Sequence, residues 1–300
     1  NFTINEGIYV GRYNGNLTRA IGTGAGEFQL GPGTNGFSAN NKGFTLKFSN
    51  DASTVVKWGA PEFNPTVLVL QDYAWNATIR SSDLHFENTL DLNGADRTIL
   101  QDKDEQNSAG NFVDGSAQMK NPIINSDGSN PAGLIKTGPG RLILSDANTF
   151  DGGLTVSNGA VQFDLAAAMP TNGNHAFQDG SALWVSLKGG DDFSADASGG
   201  GSLGGLLSGT GPGSSTVSYT GTVDLVLRPG GSPDYAGPLS MTNGTMGDLW
   251  IFDGSMTLSG TGTYAGSTTI GRRGGSPITV TLDSSTALSS GTPVQVDTSG

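Results

Sequence analysis

Gly133-Leu134-Ile135-Lys136-Thr137-Gly138-Pro139-Gly140-Arg141-Leu142-Ile143-Leu144-Ser145-Asp146-Ala147-Asn148-Thr149-Phe150-Asp151-Gly152-Gly153-Leu154-Thr155-Val156-Ser157-Asn158-Gly159 is the stretch on which the fold turns. Leu142 and Leu144 alternate with Arg141, Ile143 and Ser145, a period of two that belongs to a short strand with one face turned inward. Ile143 makes that strand apolar on both faces. Gly138-Pro139-Gly140 and Asn158-Gly159 are turn signals on either side. The segment Leu144–Val156 also aligns without a gap with Leu258-Ser259-Gly260-Thr261-Gly262-Thr263-Tyr264-Ala265-Gly266-Ser267-Thr268-Thr269-Ile270. Tyr235-Ala236-Gly237 is a weaker copy of the same aromatic-x-Gly element.

The rest of the chain has the same texture. Phe44, Leu46 and Phe48 alternate with Thr45 and Lys47; Val223, Leu225 and Leu227 alternate with Thr222, Asp224 and Val226; Ile278, Val280 and Leu282 alternate with Thr279 and Thr281. Between such runs stand Asn14-Gly15, Asn35-Gly36, Asp127-Gly128, Asn172-Gly173, Asp179-Gly180, Asn243-Gly244 and Asp253-Gly254, all read as turns. The run Asp164–Met169 before Pro170 predicts one helical turn at most. Short strands with internal repetition mean a propeller or a solenoid. Propeller blades recur at a regular period, whereas these copies are unevenly spaced. A solenoid tolerates that, because each coil packs only on its neighbours and insertions can leave outward.

The stretch 133–159 closely resembles the autotransporter-associated β-strand repeat, which runs L-x-K-x-G-x-G-x-L-x-L-S-G-x-N-T-Y-x-G-x-T-x-V-x-x-G. Asp146 replaces its usual Gly and Leu154 its usual Thr. The second copy departs further, with Gly262 in place of Asn and Gly271-Arg272-Arg273-Gly274-Gly275 at the closing turn. We place the copies at 133–163 and 254–282. The first 131 residues are similar, more loosely, to very long Gly-rich surface proteins of Gram-negative bacteria, through Leu17–Gly26, Gly36-Phe37-Ser38-Ala39, Trp58-Gly59, Phe86–Gly94 and Arg97-Thr98-Ile99. The resemblance implies an exported, right-handed parallel β-helix displayed at the cell surface or released. The C-terminal membrane barrel usual in that family is not in this sequence.

Composition agrees. Glycine supplies 48 of 300 residues, more than twice its average share of about 7%, with no Gly-x-y period. Only 14% of residues are charged, unlike a highly charged disordered chain. The net charge of −12 disfavours phosphate backbones and anionic lipid. There are no cysteines, which removes thiol catalysis, thiolate-held zinc and iron–sulfur clusters and is compatible with secretion, since a stacked core needs no staples. No run approaches the roughly 18 apolar residues of a membrane helix.

Several β-helix proteins are polysaccharide lyases or hydrolases, so an enzyme is the rival reading, and it needs converging carboxylates or a base beside calcium. Asp191 and Asp192 are adjacent, so on a strand they would point to opposite faces; the surrounding Lys188–Ser194 reads as a loop. Asp102-Lys103-Asp104-Glu105 lacks calcium-loop spacing and reads as a surface loop, as Arg272-Arg273 reads as an outward turn. His85 shares a strand face with Glu87, while His175, the second of the two histidines, is 90 residues away. Gly22-Thr23-Gly24-Ala25-Gly26 mimics a dinucleotide loop without the strand–loop–helix context. Trp58, Trp75, Trp184 and Trp250 could stack on sugars or pack the core.

These readings combine into one expectation. Residues 1–300 form an all-β, right-handed parallel β-helix (β-solenoid), a single elongated rod within a longer chain, whose abrupt strand-like ends at Phe2-Thr3-Ile4 and Val294-Gln295-Val296 are cuts through it. At roughly 20–25 residues per coil the chain would make about 12–15 coils, on the order of 60–70 Å long. We expect a non-catalytic structural or adhesive rod, extracellular or at the surface of a Gram-negative-type bacterium: no catalytic, cofactor-binding or metal residue is assigned and no cofactor is implied. The partners expected are copies of itself, neighbouring surface proteins or extracellular polysaccharide, in a filament or surface layer, with no nucleic acid and no membrane insertion by this segment. The alternative is a carbohydrate-active β-helix enzyme.

Overall fold

The inward residues of the alternating runs stack into columns. In the computed structural model, which describes all residues except 13, 41–42, 74–82, 104–115, 272–276 and 297–300, the chain divides into two compact units. One comprises Asn1–Thr155 with Gly159–Val161, the other Val156–Asn158 with Gln162–Gly300.

In the first unit, strands Gly15–Leu17, Phe44–Leu46, Leu84–Phe86, Ser116–Met119 and Arg141–Leu144 pair in parallel in that order. Their register places Leu17, Leu46, Phe86, Met119 and Leu144 in one column and Phe44, Leu84, Ala117 and Leu142 in another. All nine are buried. A second parallel sheet carries Ile8–Arg12, Thr34–Asn40, Val67–Tyr73, Arg97–Lys103 and Leu134–Thr137. A third, shorter one carries Val55–Lys57, Thr89–Asp91 and Ile123–Ile124. Each coil therefore presents its short strands to three faces around one interior. Phe28, Phe37, Phe48 and Phe86 fill part of it with rings whose centroids are 5.6–6.1 Å apart, in the range aromatic pairs prefer.

In the second unit, Ser181–Leu187, Thr222–Pro229, Thr245–Ile251, Thr268–Ile270 and Val294–Val296 stack in parallel. Beside them run the pair Asn174–Phe177 and Thr216–Tyr219 and the trio Asp234–Tyr235, Met256–Leu258 and Val280–Leu282. The chain is thus the parallel β-helix that the sequence predicts.

Four details differ from expectation. Coils of the first unit are longer than expected, because successive strands of its first column begin at 15, 44, 84, 116 and 141. Asn35-Gly36 is no turn but lies inside Thr34–Asn40. The Asn35 amide points inward, accepting from the Gly7 N–H at 2.9 Å and donating to the carbonyls of Gly31 and Pro32, and a Cβ on Gly36 would meet the Val69 carbonyl oxygen at 1.8 Å. The alternation at 278–282 is not buried: Leu282 is 49% exposed, because its strand is paired on one side only. A short helix, Leu203–Leu207, forms around two glycines, started by Ser202, whose hydroxyl accepts from the Gly205 N–H. The single helical turn expected near Asp164–Met169 is the 3-10 turn Ala166–Ala168.

Candidate functional site

The repeat itself has a physical logic that its pattern conceals. Lys136 is completely buried. Its ammonium donates to the carbonyls of Gly138 at 2.5 Å and Gly140 at 2.6 Å, clamping the turn between two strands of one coil. Burial lowers its pKa from 10.5 to about 7, while donation to two carbonyls favours the charged form. Gly159 lies so near that a Cβ there would meet the Lys136 Nζ and both carbonyl oxygens at 2.5 Å. The lysine, the two turn glycines and the closing glycine of the pattern are one interlocked corner.

The asparagine holds the next corner. Asn148 Oδ1 accepts from the Ile123 N–H at 2.7 Å. Asn88 repeats the device, accepting from the Phe48 N–H at 2.7 Å and donating to the carbonyls of Phe48, Asp51 and Thr54. The aromatics of the two aligned copies, Phe150 and Tyr264, are buried at 1% and 2% exposure. Two residues on, Gly152 and Gly266 each press against the preceding coil, where a Cβ would come within 2.4 Å of the Gly133 nitrogen and 2.3 Å of Asp248 Oδ1. The copies differ in one correlated way: the Tyr264 hydroxyl bonds the Thr268 hydroxyl, whereas the first copy has Phe150 and Leu154 in those places. Both members of the polar pair are apolar there, so neither leaves the other orphaned.

The residues singled out from the sequence do not converge. Asp191 is exposed at the turn predicted for it, and Asp192 is tied to that turn through Ser186 Oγ at 2.6 Å and the Lys188 N–H at 3.0 Å. Asp102 accepts from Gln71 Nε2 at 3.4 Å; Asp104, Glu105, Arg272, Arg273 and Trp75 lie outside the described residues. His85 sits half-buried on the outward side of its strand, between Thr45 and Gln118 in register. Burial lowers its pKa, and Lys120 adds to this against the opposing carboxylates of Asp83 and Glu87. His175 is buried in the second unit, with Nε2 2.9 Å from the Pro170 carbonyl and its pKa also lowered by burial. Among the described residues no group of three or more His, Cys, Asp or Glu could hold a metal ion. The loop at 22–26 is filled by Glu27, whose carboxylate accepts from the Gly24 N–H.

Trp58 and Trp184 are core residues, both fully buried. Trp58 Nε1 donates to the Pro65 carbonyl, and the Arg97 guanidinium lies 5.7 Å from its ring centroid. Trp250 differs, being partly exposed on the outward side of Thr245–Ile251, where Leu249 and Ile251 point inward at 0% exposure. Register places Trp184, Val226, Trp250 and Thr269 in one row along the stacked strands, on the side away from Leu249 and Ile251; Trp184 and Val226 are buried there, and Trp250 reaches solvent. Asp224 and Asp248 form a row on one side. Asp224 Oδ1 accepts from the Asp248 N–H at 2.8 Å, and Asp248 Oδ1 accepts from Ser267 N–H and Oγ at 2.6 and 3.0 Å. The ladder slips here: one residue lies between Val223 and Leu225 where two lie between Met246 and Leu249, a bulge of the kind that re-aims a side chain. On the other side Arg228 bridges Asp164 and Asp253, each at 3.3 Å. Of this array the sequence singles out Trp184 and Trp250, as tryptophans that could stack on sugars or pack the core; nothing in it marks Asp248 as their neighbour.

Inward columns closed by asparagine and lysine corners define a parallel β-solenoid built from repeats. The passenger-associated-transport-repeat family matches residues 134–163 and 253–275, which bears out the resemblance to autotransporter-associated repeat proteins; the second match ends before the 282 expected. No curated protein and no solved structure matches the chain.

Proposed function

We propose that this chain is a non-catalytic structural and adhesive segment of an exported bacterial surface protein, one continuous solenoid within a longer polypeptide. The observation that carries the reading is the passenger-associated-transport-repeat found twice on a stack of parallel strands. Such a stack grows by adding coils, needs no disulfide, and presents outward side chains in rows that a partner or a polysaccharide can read. Among the described residues no helix is long and apolar enough to cross a membrane. The acidic balance, with net charge −12, is poorly suited to nucleic acid.

Protease shaving and antibody labelling of intact cells of the native host test this reading. Labelling at the surface or recovery from the medium is expected; confinement to the cytoplasm refutes it. A reducing-sugar and unsaturated-product assay on neutral and acidic polysaccharides tests the non-catalytic half, which turnover at ordinary enzymatic rates overturns.

A further inference from the structure

We propose that the partly exposed side chains of Asp224, Asp248 and Trp250, on Thr222–Pro229 and Thr245–Ile251, bind a neutral polysaccharide chain, with Trp250 as the stacking platform and Asp224 and Asp248 as acceptors for sugar hydroxyls. The inference rests on the adhesive reading for its biological use and on the geometry of one unit for its chemistry.

The strand period puts Asp248 and Trp250 on one face about 7 Å apart, and the coil spacing puts Asp224 about 4.8 Å from the Asp248 row. An indole therefore stands beside two carboxylates at the scale of a single pyranose ring. Trp250 is the tryptophan of the described residues that reaches solvent; Trp184, its neighbour in the row beyond Val226, is buried and in ring contact with Phe252 at 5.0 Å. An indole has only two side-chain torsions to lose, so it binds a flat apolar sugar face at little cost in side-chain freedom.

The carboxylates are mounted in a repeated way. Each is anchored to the next coil through Oδ1 alone, Asp224 to the Asp248 N–H and Asp248 to Ser267. Among the described residues this leaves each Oδ2 as an acceptor. Both depend on a glycine in the neighbouring coil: a Cβ on Gly247 would meet Asp224 Oδ1 at 2.3 Å, and one on Gly266 would meet Asp248 Oδ1 at 2.3 Å. The bulge at Gly247-Asp248 sets the second carboxylate off the regular ladder. Burial raises the pKa of Asp224, with the Asp248 carboxylate adding to the rise against the hydrogen bond from the Asp248 N–H. Two neighbouring carboxylates repel a uronate or sulfate, so the ligand is a neutral glycan. Across the aromatic row Arg228 is occupied by Asp164 and Asp253 and offers no unpaired positive charge to attract an acidic one.

The test is calorimetry and tryptophan fluorescence on the whole 300-residue chain with cellohexaose, laminarihexaose, mannohexaose and chitohexaose, against oligogalacturonate. At least one neutral hexamer should bind and shift the emission, with no binding of oligogalacturonate. Trp250→Ala should weaken binding about tenfold or more, and Trp250→Phe less, with circular dichroism unchanged. Asp248→Asn keeps an oxygen to accept from Ser267 but converts the outer acceptor into a donor; it should weaken the neutral ligand and relax the exclusion of oligogalacturonate. Failure of all four neutral hexamers, equal affinity in a folded Trp250→Ala or Trp250→Phe variant, or tighter binding of oligogalacturonate by the unaltered chain overturns the proposal. Glycan binding by a chain confined to the cytoplasm would remove the surface reading alone, and surface display without glycan binding would remove this site alone.

Discussion

Tyr264 and Thr268 should behave as a single unit. Their hydroxyls bond to each other at positions 2% and 0% exposed, so removing one strands the other away from water. Thr268→Val, which keeps the shape, and Tyr264→Phe, which keeps the ring, should each cost about 1–3 kcal/mol, the penalty of a buried orphaned hydroxyl. The double variant removes both groups and leaves no orphan, so its cost should fall to about 1 kcal/mol or less. The sum of the two single costs should then exceed the double cost by at least about 1 kcal/mol. The first copy of the repeat already shows the double state in Phe150 and Leu154, and supplies the mirror experiment: Phe150→Tyr alone should destabilise, and adding Leu154→Thr should restore stability. Solenoids lose coils piecemeal, so the assay is native-state hydrogen exchange at two local amides. These are Leu249, which donates to the Ser267 carbonyl at 2.9 Å, and Thr268, which donates to the Pro293 carbonyl at 2.8 Å. Additivity of the two single substitutions to within about 0.5 kcal/mol would refute the pairing.

Lys136 should make the first unit more stable as pH rises. Its folded pKa, about 7, lies below the ordinary lysine value of 10.5, so between these limits the unfolded chain binds more protons, and the stability present above 10.5 is lost as pH falls towards 7. Urea titrations should show a slope of at most about 1.4 kcal/mol per pH unit between pH 7.5 and 9.5, absent in Lys136→Met; equal slopes in the two proteins would disprove it. The second unit should instead lose stability above about pH 10, because burial raises Tyr219 and pushes Tyr235 up to about 12, and the unfolded tyrosines ionise first. Asn88→Ala should cost about 3 kcal/mol by freeing the turn at 48–54, and Asn88→Asp should not rescue it, since a carboxylate cannot donate to the three carbonyls that Nδ2 serves; rescue seen by thermal melting would contradict this role. Leu144→Asp places a charge in the column of Leu17, Leu46, Phe86 and Met119 and should cost several kcal/mol; wild-type exchange protection around it would show that the column is not the core.

The strands were legible because a period of two survives in three to eight residues, as at Leu84–Phe86 or Thr222–Pro229. The register was not. That Phe86 sits between Leu46 and Met119 depends on how much chain each coil sends outward, and alternation within a strand carries no record of it. Asn35-Gly36 misled for a related reason: the same dipeptide that closes a turn also suits a strand where a neighbouring backbone comes too close for a Cβ and the asparagine amide can serve three backbone groups. The helix at Leu203–Leu207 escaped because glycine is a poor helix former, yet a Cβ on Gly204 or Gly205 would lie 2.1 or 1.9 Å from the backbone of residues 197–199, so contact outweighed propensity. Lys136 reads as a solvated lysine until the two carbonyls it serves are placed around it.

The outward array was hidden by the same separation of tasks. Inward residues of each strand are fixed by the column they join, and any apolar side chain of suitable size can hold its place. Outward residues are released from that demand, and their neighbours are chosen by coil length. Asp224 and Asp248 are 24 residues apart in sequence and adjacent because one coil has that length; the bulge at Gly247-Asp248 then trims their alignment without moving Leu225 off Leu249 or Leu227 off Ile251. A solenoid can therefore change what its surface binds by altering outward loops and single bulges while the columns beneath remain as they are. Its two recognisable repeats mark how coils are closed, and the array of Asp224, Asp248 and Trp250 lies between them, in residues that no repeat pattern specifies.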